Sequence, residues 1–275
     1  MKVRFYGTRG SIPVCAPEYQ EFGGNTTCVL VERAENIGIL DAGTGIRNLG
    51  KELVTDQHLG IDRPVFIAFS HFHWDHIPGL PFFLPAYDPK RHFIISAIGR
   101  ERYGKDLKSI FQTQMQRDYF PVAIDGMGAT IEFHQSEEDS LPLEYVTVTA
   151  LKHNHPGDAY SYRIEEKNDG KVLVFCTVIE HGDDIDPQIV ELARNADLLI
   201  HEAQYTPDEL TTHKGWGHSS WEQAVKVAKN ASVKRLAITH HDPDHDDAFL
   251  RNVEKQVQNQ FPNAVLAREK MEIEI

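Results

Sequence analysis

The chain has 275 residues, of which 41% are hydrophobic, and this is enough to form one sizeable α/β domain. Its 28 basic and 41 acidic residues give a net charge of −13, which disfavours a long nucleic-acid groove because such a groove needs a basic footprint. No apolar run is long enough to span a membrane, and three cysteines are too few for a disulfide framework. Because the N-terminus enters a strand at once and lacks a signal-peptide core, we expect a cytoplasmic protein.

Apolar strand-like runs alternate with helical patterns along the first half of the chain. The predicted strands are Lys2–Tyr6, Cys28–Arg33, Gly38–Asp41, Val65–Ser70 and Arg91–Ile98. The predicted helices are Ile46–Thr55 and Gly104–Gln116. We expect residues from about 85 to 127 to form a small subregion of helix and loop beside the functional site.

The second half repeats this alternation. The predicted strands are Ala129–His134, Leu143–Leu151, Tyr160–Glu165, Lys171–Cys176, Asp197–His201 and Leu236–Thr239, with a last strand at Val265–Ala267 or Met271–Ile275. The predicted helices are Pro187–Arg194, Ser219–Asn230 and Phe249–Gln260. No linker divides the chain, so we predict a single domain over 1–275 in which two sheets pack face to face with helices outside.

The most informative segment follows the strand ending at Ser70 and reads His-Phe-His-Trp-Asp-His. On an extended stretch, residues i and i+2 point the same way, so His71 and His73 can bind one cation together. If the chain then turns into a helix, Asp75 and His76 point toward a second position nearby. Imidazole and carboxylate ligands favour zinc, manganese or iron.

Other candidate ligands lie at the ends of predicted strands. His153 and His155 follow one strand, and one of them is expected to supply a third imidazole to the first metal. His240 and His241 follow another strand, and one of these is expected to bind the second metal. Asp41 closes an apolar strand and could orient a ligand histidine through a hydrogen bond.

Further residues have side chains suited to catalysis or to substrate binding. Glu202 ends a predicted strand and could brace His218, which lies in a glycine-rich turn, as a general acid. Trp74 and Phe82 are candidates for lining the substrate entrance. Arg9 could contact a phosphate, and an ion pair with a carboxylate is an equally good interpretation.

With these residues in place, the chain resembles the metallo-β-lactamase superfamily, whose hallmark is the H-x-H-x-D-H signature. The closest resemblance is to its phosphodiesterase branch, which includes ribonuclease Z and small phosphodiesterases of phosphonate and cyclic-nucleotide metabolism. The resemblance extends over nearly the whole chain and rests on the segments Phe5–Pro13, Gly23–Thr26, Asp41–Gly45, Tyr160–Arg163, His201–Ala203 and Thr239–His240.

The resemblance implies a four-layer αβ/βα sandwich with a two-metal site at one edge. It implies that the first metal binds His71, His73 and His155, the last being preferred because it precedes Tyr162 by seven residues. It implies that the second metal binds Asp75, His76 and His240. His218 and Glu202 would assist at the scissile phosphate, and Asp75 would also orient the attacking water.

One departure from the branch pattern concerns the residue that should bridge the two metals. The branch has Thr-Asp after the strand that ends at Cys176, whereas this chain has Thr177-Val178. Two cations about 3.5–4 Å apart normally share an anionic bridge, which valine cannot supply. We therefore expect a weakened second site, or another carboxylate in its place, with Glu180 and Asp183 as candidates.

The resulting hypothesis is a metal-dependent phosphodiesterase with one or two zinc ions per chain, manganese or iron being possible alternatives. Its substrate would be a small phosphodiester or cyclic nucleotide, neither a membrane nor a nucleic acid is an expected partner, and the resemblance favours a homodimer. One alternative is a hydrolase of thioesters, lactones or β-lactams on the same fold. Another is a metal-binding or sensing protein that has lost turnover through Val178.

Overall fold

A computed structural model describes residues 1–34, 36–55, 65–98, 106–136 and 138–275. Its main feature is a pair of seven-stranded sheets that pack face to face. Helices cover the outer face of each sheet. Of the three apolar clusters, one lies beneath the helices of each sheet and the third lies between the two sheets. The four-layer αβ/βα sandwich predicted above is therefore confirmed.

The bounds of the elements are as follows. In spatial order, the first sheet contains β14 (Glu272–Glu274), β1 (Lys2–Gly7), β2 (Cys28–Glu32), β3 (Ile37–Leu40), β4 (Val65–Ala68), β5 (His92–Ile98) and β6 (Thr130–Ser136). The second contains β13 (Ala264–Leu266), β12 (Leu236–Thr239), β11 (Leu198–Glu202), β10 (Val172–Cys176), β9 (Ala159–Glu166), β8 (Val146–His153) and β7 (Ser140–Pro142). The helices are α1 (Ile46–Thr55), α2 (Leu107–Gln114), α3 (Pro187–Leu192), α4 (Pro207–Leu210), α5 (Trp221–Asn230) and α6 (Asp247–Gln260).

Parallel pairing explains where the functional residues gather. Strand β3 pairs in parallel with β4, and β10, β11 and β12 pair in parallel with one another. The carboxyl ends of parallel strands meet at the same edge of a sheet, and loops beyond that edge commonly carry ligands in open α/β sheets. The segments after these strands therefore lie at a common edge of the sandwich.

The buried strands that carry this edge are almost uniformly apolar. Val172–Cys176 and Leu236–Thr239 are buried at every position, as expected for parallel strands that are covered on both faces. A strand buried on both faces holds its carboxyl end rigidly, so the residues just beyond it have well-defined positions.

The predicted elements differ from the structure mainly at their ends. Helix α1 has the predicted bounds, and both alternative C-terminal strands form, as β13 and β14. The predicted strand Leu143–Leu151 begins only at Val146, as β8, because residues 143–145 form the turn of a β7–β8 hairpin that a hydrogen bond from the Leu143 N–H to the Val146 carbonyl closes. The predicted helix Gly104–Gln116 begins at Leu107, capped by Asp106, and residues 104 and 105 lie outside the described residues.

The predicted subregion from 85 to 127 contains both sheet and non-sheet structure. Strand β5 lies within it and pairs with β4 and β6 in the first sheet. The part after β5 packs through Leu107, Phe111, Met115 and Ile124 onto the apolar cluster that α1 also covers. In the part of the chain that the structure describes, no helix is both long and apolar enough to cross a bilayer.

Helix α5 begins with a capping box that directly follows the histidine-bearing glycine turn. Ser220 accepts a hydrogen bond from the N–H of Gln223, and the Gln223 side chain accepts one from the N–H of Ser220. These two bonds satisfy N–H groups that have no partner within the helix.

Replacing Ser220 with alanine should lower the free energy of unfolding by about 1 kcal/mol, because the cap hydroxyl is lost. Urea denaturation followed by circular dichroism measures this change. The Ser220→Thr variant keeps a hydroxyl and serves as the matched control, with stability close to wild type. Equal losses in both variants would contradict the capping role.

Candidate metal centre

The His-Phe-His-Trp-Asp-His segment lies immediately beyond β4. The chain stays extended through His73 and then forms a single 3-10 turn over Trp74–His76. This change of conformation separates His71 and His73 from Asp75 and His76, as the sequence pattern predicted. The two halves of the segment contribute to two different clusters of possible ligand atoms.

The first cluster joins His71 and His73 to His155, which follows β8. Their ligand nitrogens all lie within 4.8 Å of one another, and His155 Nε2 is 3.1 Å from His73 Nδ1. His155 Nδ1 donates to the carbonyl of Gly217 at 2.8 Å, so its Nε2 carries a lone pair directed at the cluster. Burial lowers the pKa of His155 to about 4, which keeps the imidazole neutral and able to bind a metal.

The second cluster joins Asp75 and His76 to His240, which follows β12. One carboxylate oxygen of Asp75, Oδ2, lies 3.0 Å from His76 Nε2 and 3.1 Å from His240 Nε2. The two Nε2 atoms are 3.3 Å apart. A carboxylate and two imidazoles that converge in this way form a set of donors suited to a divalent metal ion.

Asp41 connects the two clusters from behind. Its Oδ2 accepts hydrogen bonds from His76 Nδ1 and from the Ser70 hydroxyl, each at 2.8 Å. The Ser70 oxygen in turn lies 3.1 Å from His71 Nδ1 and can accept its proton. Asp41 therefore selects the tautomer in which His76 and His71 both present Nε2 to the site.

The backbone at Asp41 supports this assignment. Asp41 is fully buried and has a φ of +60°, in the left-handed region that non-glycine residues seldom occupy. His240 also lies in this region, with a φ of +62°. Strained residues of this kind persist where the surrounding structure fixes them, and they cluster at functional sites.

The residues present fit a bound metal. His71 Nε2 is buried and has no hydrogen-bond partner among the described residues, which is costly unless a cation occupies the position it faces. Burial also lowers the pKa of His71 well below its ordinary value, and the neighbouring imidazoles add to this effect. Burial opposes protonation of His76 too, but Asp75 and Asp41 outweigh it and raise the pKa of His76 to about 10, so a metal bound at Nε2 would have to displace a proton there.

The structure distinguishes the histidines that the sequence left as alternatives. His153 is the last residue of β8, lies close enough to His181 to lower the pKa of that side chain, and is not part of either cluster. His241 Nε2 donates to the carbonyl of Ala267 at 2.9 Å, and its ring packs edge-on against Phe22. His155 and His240 are the members of each pair that join the clusters.

Glu202 and His218 form a third group next to the second cluster. His218 Nδ1 lies 3.8 Å from Glu202 Oε2, and its ring stacks on His240 with centroids 5.1 Å apart. Glu202 accepts hydrogen bonds from the N–H groups of Ile179, Ser219 and Gln204. Burial raises the pKa of Glu202 to about 8, although these donors oppose the shift, and burial lowers that of His218.

The two carboxylates proposed from the sequence as substitute ligands lie elsewhere. Glu180 accepts hydrogen bonds from the N–H groups of Gly215 and Gly217, at 2.7 and 2.9 Å. Asp183 is exposed and pairs with Lys214. Neither belongs to a ligand cluster, so the expectation that one replaces the bridging carboxylate is wrong. Both instead hold the turn that carries His218.

Val178 lies two residues beyond β10, beside the end of β11, and is almost completely buried. Its φ is +51°. A β-branched residue is a genuine outlier in this region, whereas aspartate, asparagine and glycine tolerate it. The backbone therefore has a conformation that suits the aspartate expected from the resemblance better than the valine present.

Arg9 does not face the site as a phosphate ligand. Its side chain is fully buried and donates to the carbonyls of Gly23, Asp242 and His245. These backbone partners could not be inferred from the sequence. Arg9 thus fixes the N-terminal loop against the loop after His241, and we correct its assignment to a structural role.

Exposed aromatic side chains lie next to the ligands. Trp74, between His73 and Asp75, is 67% exposed, and Phe82 is 54% exposed with its ring packed edge-on against Phe120. Trp216, two residues before His218, is 62% exposed. From the sequence Trp216 is only part of the glycine-rich turn, and the structure adds that its side chain is exposed to solvent.

A second pair of histidines lies outside the clusters. His181 Nε2 is 3.3 Å from His201 Nε2, and both rings are buried. The N–H of Asp186 donates to His181 Nδ1, and His201 Nδ1 donates to the carbonyl of Glu202. His181 is therefore the Nε2–H tautomer and donates to His201 Nε2, so this pair is satisfied without a metal.

Comparisons with known proteins agree with the fold. A family model described as beta-lactamase superfamily domain matches residues 38–241. The chain therefore belongs to this superfamily, and the resemblance predicted above is confirmed.

Three proteins illustrate what this chain is similar to. Ribonuclease Z of Synechococcus sp. (strain CC9311) is 27% identical and aligned over 100% of this chain and 99% of its own. The structure of human tRNase Z, short form, superposes with a TM-score of 0.71 at 23% identity, covering 100% of this chain and 99% of that one. A diphosphatase of the PhnP family superposes with a TM-score of 0.68 at 18% identity, covering 100% and 97%.

The buried histidine pair predicts a loss of stability in acid. Burial lowers the pKa of His181 to about 2 and that of His201 to about 4. The unfolded chain binds these protons near pH 6.5, so stability is fully present above that pH and falls as the pH drops toward 4. At about 1.4 kcal/mol per pH unit, His201 alone accounts for a loss on the order of 3 kcal/mol.

Urea denaturation of the chelator-treated protein at pH 4.5 to 7.5 measures this decline. The His201→Gln variant should show a shallower decline, because glutamine does not titrate. His134→Gln, at an exposed site, is the control and should keep the wild-type slope. If the free energy of unfolding of His201→Gln fell with pH as steeply as that of the wild type, His201 would not be a source of the acid instability.

Val178 predicts unequal metal sites. After dialysis at neutral pH, the wild-type protein should keep about one tightly bound metal per chain, and Val178→Asp should keep about two, because a bridging carboxylate offsets the repulsion between two cations. Inductively coupled plasma mass spectrometry measures the stoichiometry. Val178→Asn is the matched control. Asparagine has the shape of aspartate and also tolerates positive φ, but it has no charge, so this variant should keep about one metal per chain, like the wild-type protein. Two tightly held metals in the wild-type protein would overturn the prediction.

Proposed function

We propose that the protein is a metal-dependent phosphodiesterase that acts on a small phosphodiester. The observation that carries this proposal is the position of His218, next to the second cluster and 3.8 Å from Glu202. Hydrolysis of a phosphodiester expels an alkoxide that needs a proton, and a histidine oriented by a carboxylate is suited to supply one.

The ligand clusters supply the remaining requirements. A divalent metal held by these residues would polarise a phosphoryl oxygen and favour attack by water near neutral pH. Zinc suits the His71, His73 and His155 set best, and manganese or iron would also suit the set that contains Asp75. Asp75 also accepts a hydrogen bond from the N–H of Ser11 at 3.0 Å, which fixes the carboxylate.

Glu202 orients His218 in this proposal. Three backbone N–H groups hold the Glu202 carboxylate in place, and its Oε2 faces His218 Nδ1. Near neutral pH the pair holds its proton on Glu202, because burial raises the pKa of that carboxyl to about 8 and lowers the pKa of His218. With Nδ1 facing Glu202, His218 would take up this proton at Nδ1 and deliver one from Nε2 to the leaving oxygen. Glu180 supports this arrangement by holding the backbone on the N-terminal side of His218.

A small substrate fits the chain better than a structured RNA. The alignment with the Synechococcus ribonuclease Z spans 336 positions, whereas this chain has 275 residues, so at least 61 positions hold a residue only in the relative. Between His155 and Val178 the described chain forms only β9, β10 and the turns that join them. The net charge of −13 also opposes a phosphate backbone. Cytoplasmic location and a homodimer stay predictions.

A second candidate, a metal-binding protein without turnover, rests on Val178 alone. The other predicted ligands are all present and converge in the structure. For this reason we favour an enzyme whose rate is reduced over a protein that has lost its chemistry.

The acid role of His218 predicts a dependence on the leaving group. His218→Ala should lower kcat about 100-fold or more for an alkyl phosphodiester such as a 2′,3′-cyclic nucleotide, because its alkoxide must be protonated. The loss should be much smaller for bis(p-nitrophenyl) phosphate, since p-nitrophenolate leaves without a proton. Steady-state kinetics with both substrates measure the difference.

Glu202→Gln is the companion variant. It should also lower kcat more for the alkyl phosphodiester than for bis(p-nitrophenyl) phosphate, with a smaller loss of kcat than His218→Ala. Equal losses of His218→Ala on both substrates would show that His218 only shapes the site. A lactone and a thioester are assayed in parallel, and faster turnover of either would favour the alternative acyl hydrolase.

A further inference from the structure

A cavity of about 590 Å³ lies between the two sheets, on the side where β3, β4 and β5 face β8 and β9. None of the predicted metal ligands lines it. Its walls are mainly aliphatic and come from both sheets, with Leu40 and Ala68 on one side and Val146, Val148 and Ile164 on the other.

Small residues on three neighbouring strands account for this space. Ala68 on β4 pairs in register with Leu40 on β3 and with Ser96 on β5. Gly38 lies two residues before Leu40 on the same face, and a Cβ built there would meet nothing closer than Val31 at 3.6 Å. The first sheet therefore presents little side-chain volume where the second sheet presents valine and isoleucine.

Among the described residues, the apolar wall of the cavity is only partly covered. Phe66 and Ala68 on β4 and Val148 on β8 are half-buried although they point between the sheets, and Leu143 is 41% exposed. Apolar surface in a concave site of this kind is characteristic of ligand pockets, which range from about 300 to 1,000 Å³.

The dimensions restrict the occupant. Packed sheets lie about 10 Å apart, which is less than the 10–12 Å diameter of a helix with its side chains. A slender ligand fits this gap, whereas a helix of a partner protein does not. Because the walls are aliphatic and Tyr162 already donates its hydroxyl to the carbonyl of Phe69, they offer little to a polar ligand.

The rim has a different character from the walls. Asn36, His134, Ser136 and Glu138 lie there, together with Arg33, whose guanidinium is 2.6 Å from Glu166. A polar head group could remain among these residues and solvent while an apolar chain enters the gap. We propose that this cavity binds the single aliphatic chain of an amphiphile, with its head group at the rim.

The probe for the test is N-phenyl-1-naphthylamine, an uncharged dye that fluoresces in apolar sites, with laurate as competitor. The wild-type protein should bind the dye saturably at one site per chain, and laurate should displace it. Butyrate, whose chain is too short to fill the cavity, should displace it at least tenfold less well. Dye binding that does not saturate, or equal displacement by laurate and butyrate, would overturn the proposal.

Filling the cavity locates the site. The Gly38→Val/Ser96→Leu double variant should weaken dye binding at least tenfold, with a melting temperature equal to or above that of wild type because empty space is filled. Thr147→Val, on the opposite face of β8 from Val146 and Val148, is the matched control and should bind like wild type. Unchanged binding in the folded double variant would place the dye elsewhere and overturn the proposal. If the double variant melts well below wild type, its dye binding is not interpreted, and the displacement of the dye from wild-type protein by laurate and by butyrate decides whether the proposal holds.

Discussion

The hydrogen bonds of one buried carboxylate determine how the rest of the site is arranged. Asp41 fixes the tautomer of His76 directly and that of His71 through Ser70. An imidazole can bind a metal only through a nitrogen that carries a lone pair, so both rings depend on where Asp41 places their protons. The left-handed backbone conformation of Asp41 and the parallel pairing of β3 with β4 bring this carboxylate beneath the ligands.

The two sheets contribute different parts of the same centre. The first sheet supplies Asp41 and the four-ligand segment after β4, whereas the second supplies His155, Glu202 and His240. Because neither sheet holds a complete cluster, the centre depends on how the sheets pack through the apolar layer between them. That layer is complete toward β10 and β11 and open toward β5 and β6, where the cavity lies. Tight packing therefore coincides with the side of the sandwich that bears the ligands from β11 and β12.

The sequence predicted the parts of the site that depend on local spacing. The i, i+2 relation placed His71 and His73 together, and the turn after them separated Asp75 and His76. It could not decide between His153 and His155, because the direction of each ring depends on where β8 ends and the chain turns. It also could not place Glu180, whose nearness along the chain to Val178 suggested a ligand although its carboxylate reaches the glycine turn. Arg9 was misassigned for a similar reason, since two of its three carbonyl partners, Asp242 and His245, come from a loop more than 200 residues away.

Val178 has a backbone conformation that suits the aspartate implied by the resemblance better than it suits valine. Its positive φ is unfavourable for a β-branched side chain and acceptable for aspartate. The loop cannot relax easily, because the next residue, Ile179, donates its N–H to Glu202 and the Ser219 hydroxyl donates to the Ile179 carbonyl. The same bonds that hold Glu202 near His218 therefore hold Val178 in its strained conformation. Because these bonds do not involve the side chain at 178, the arrangement of Glu202 and His218 does not depend on which residue stands there.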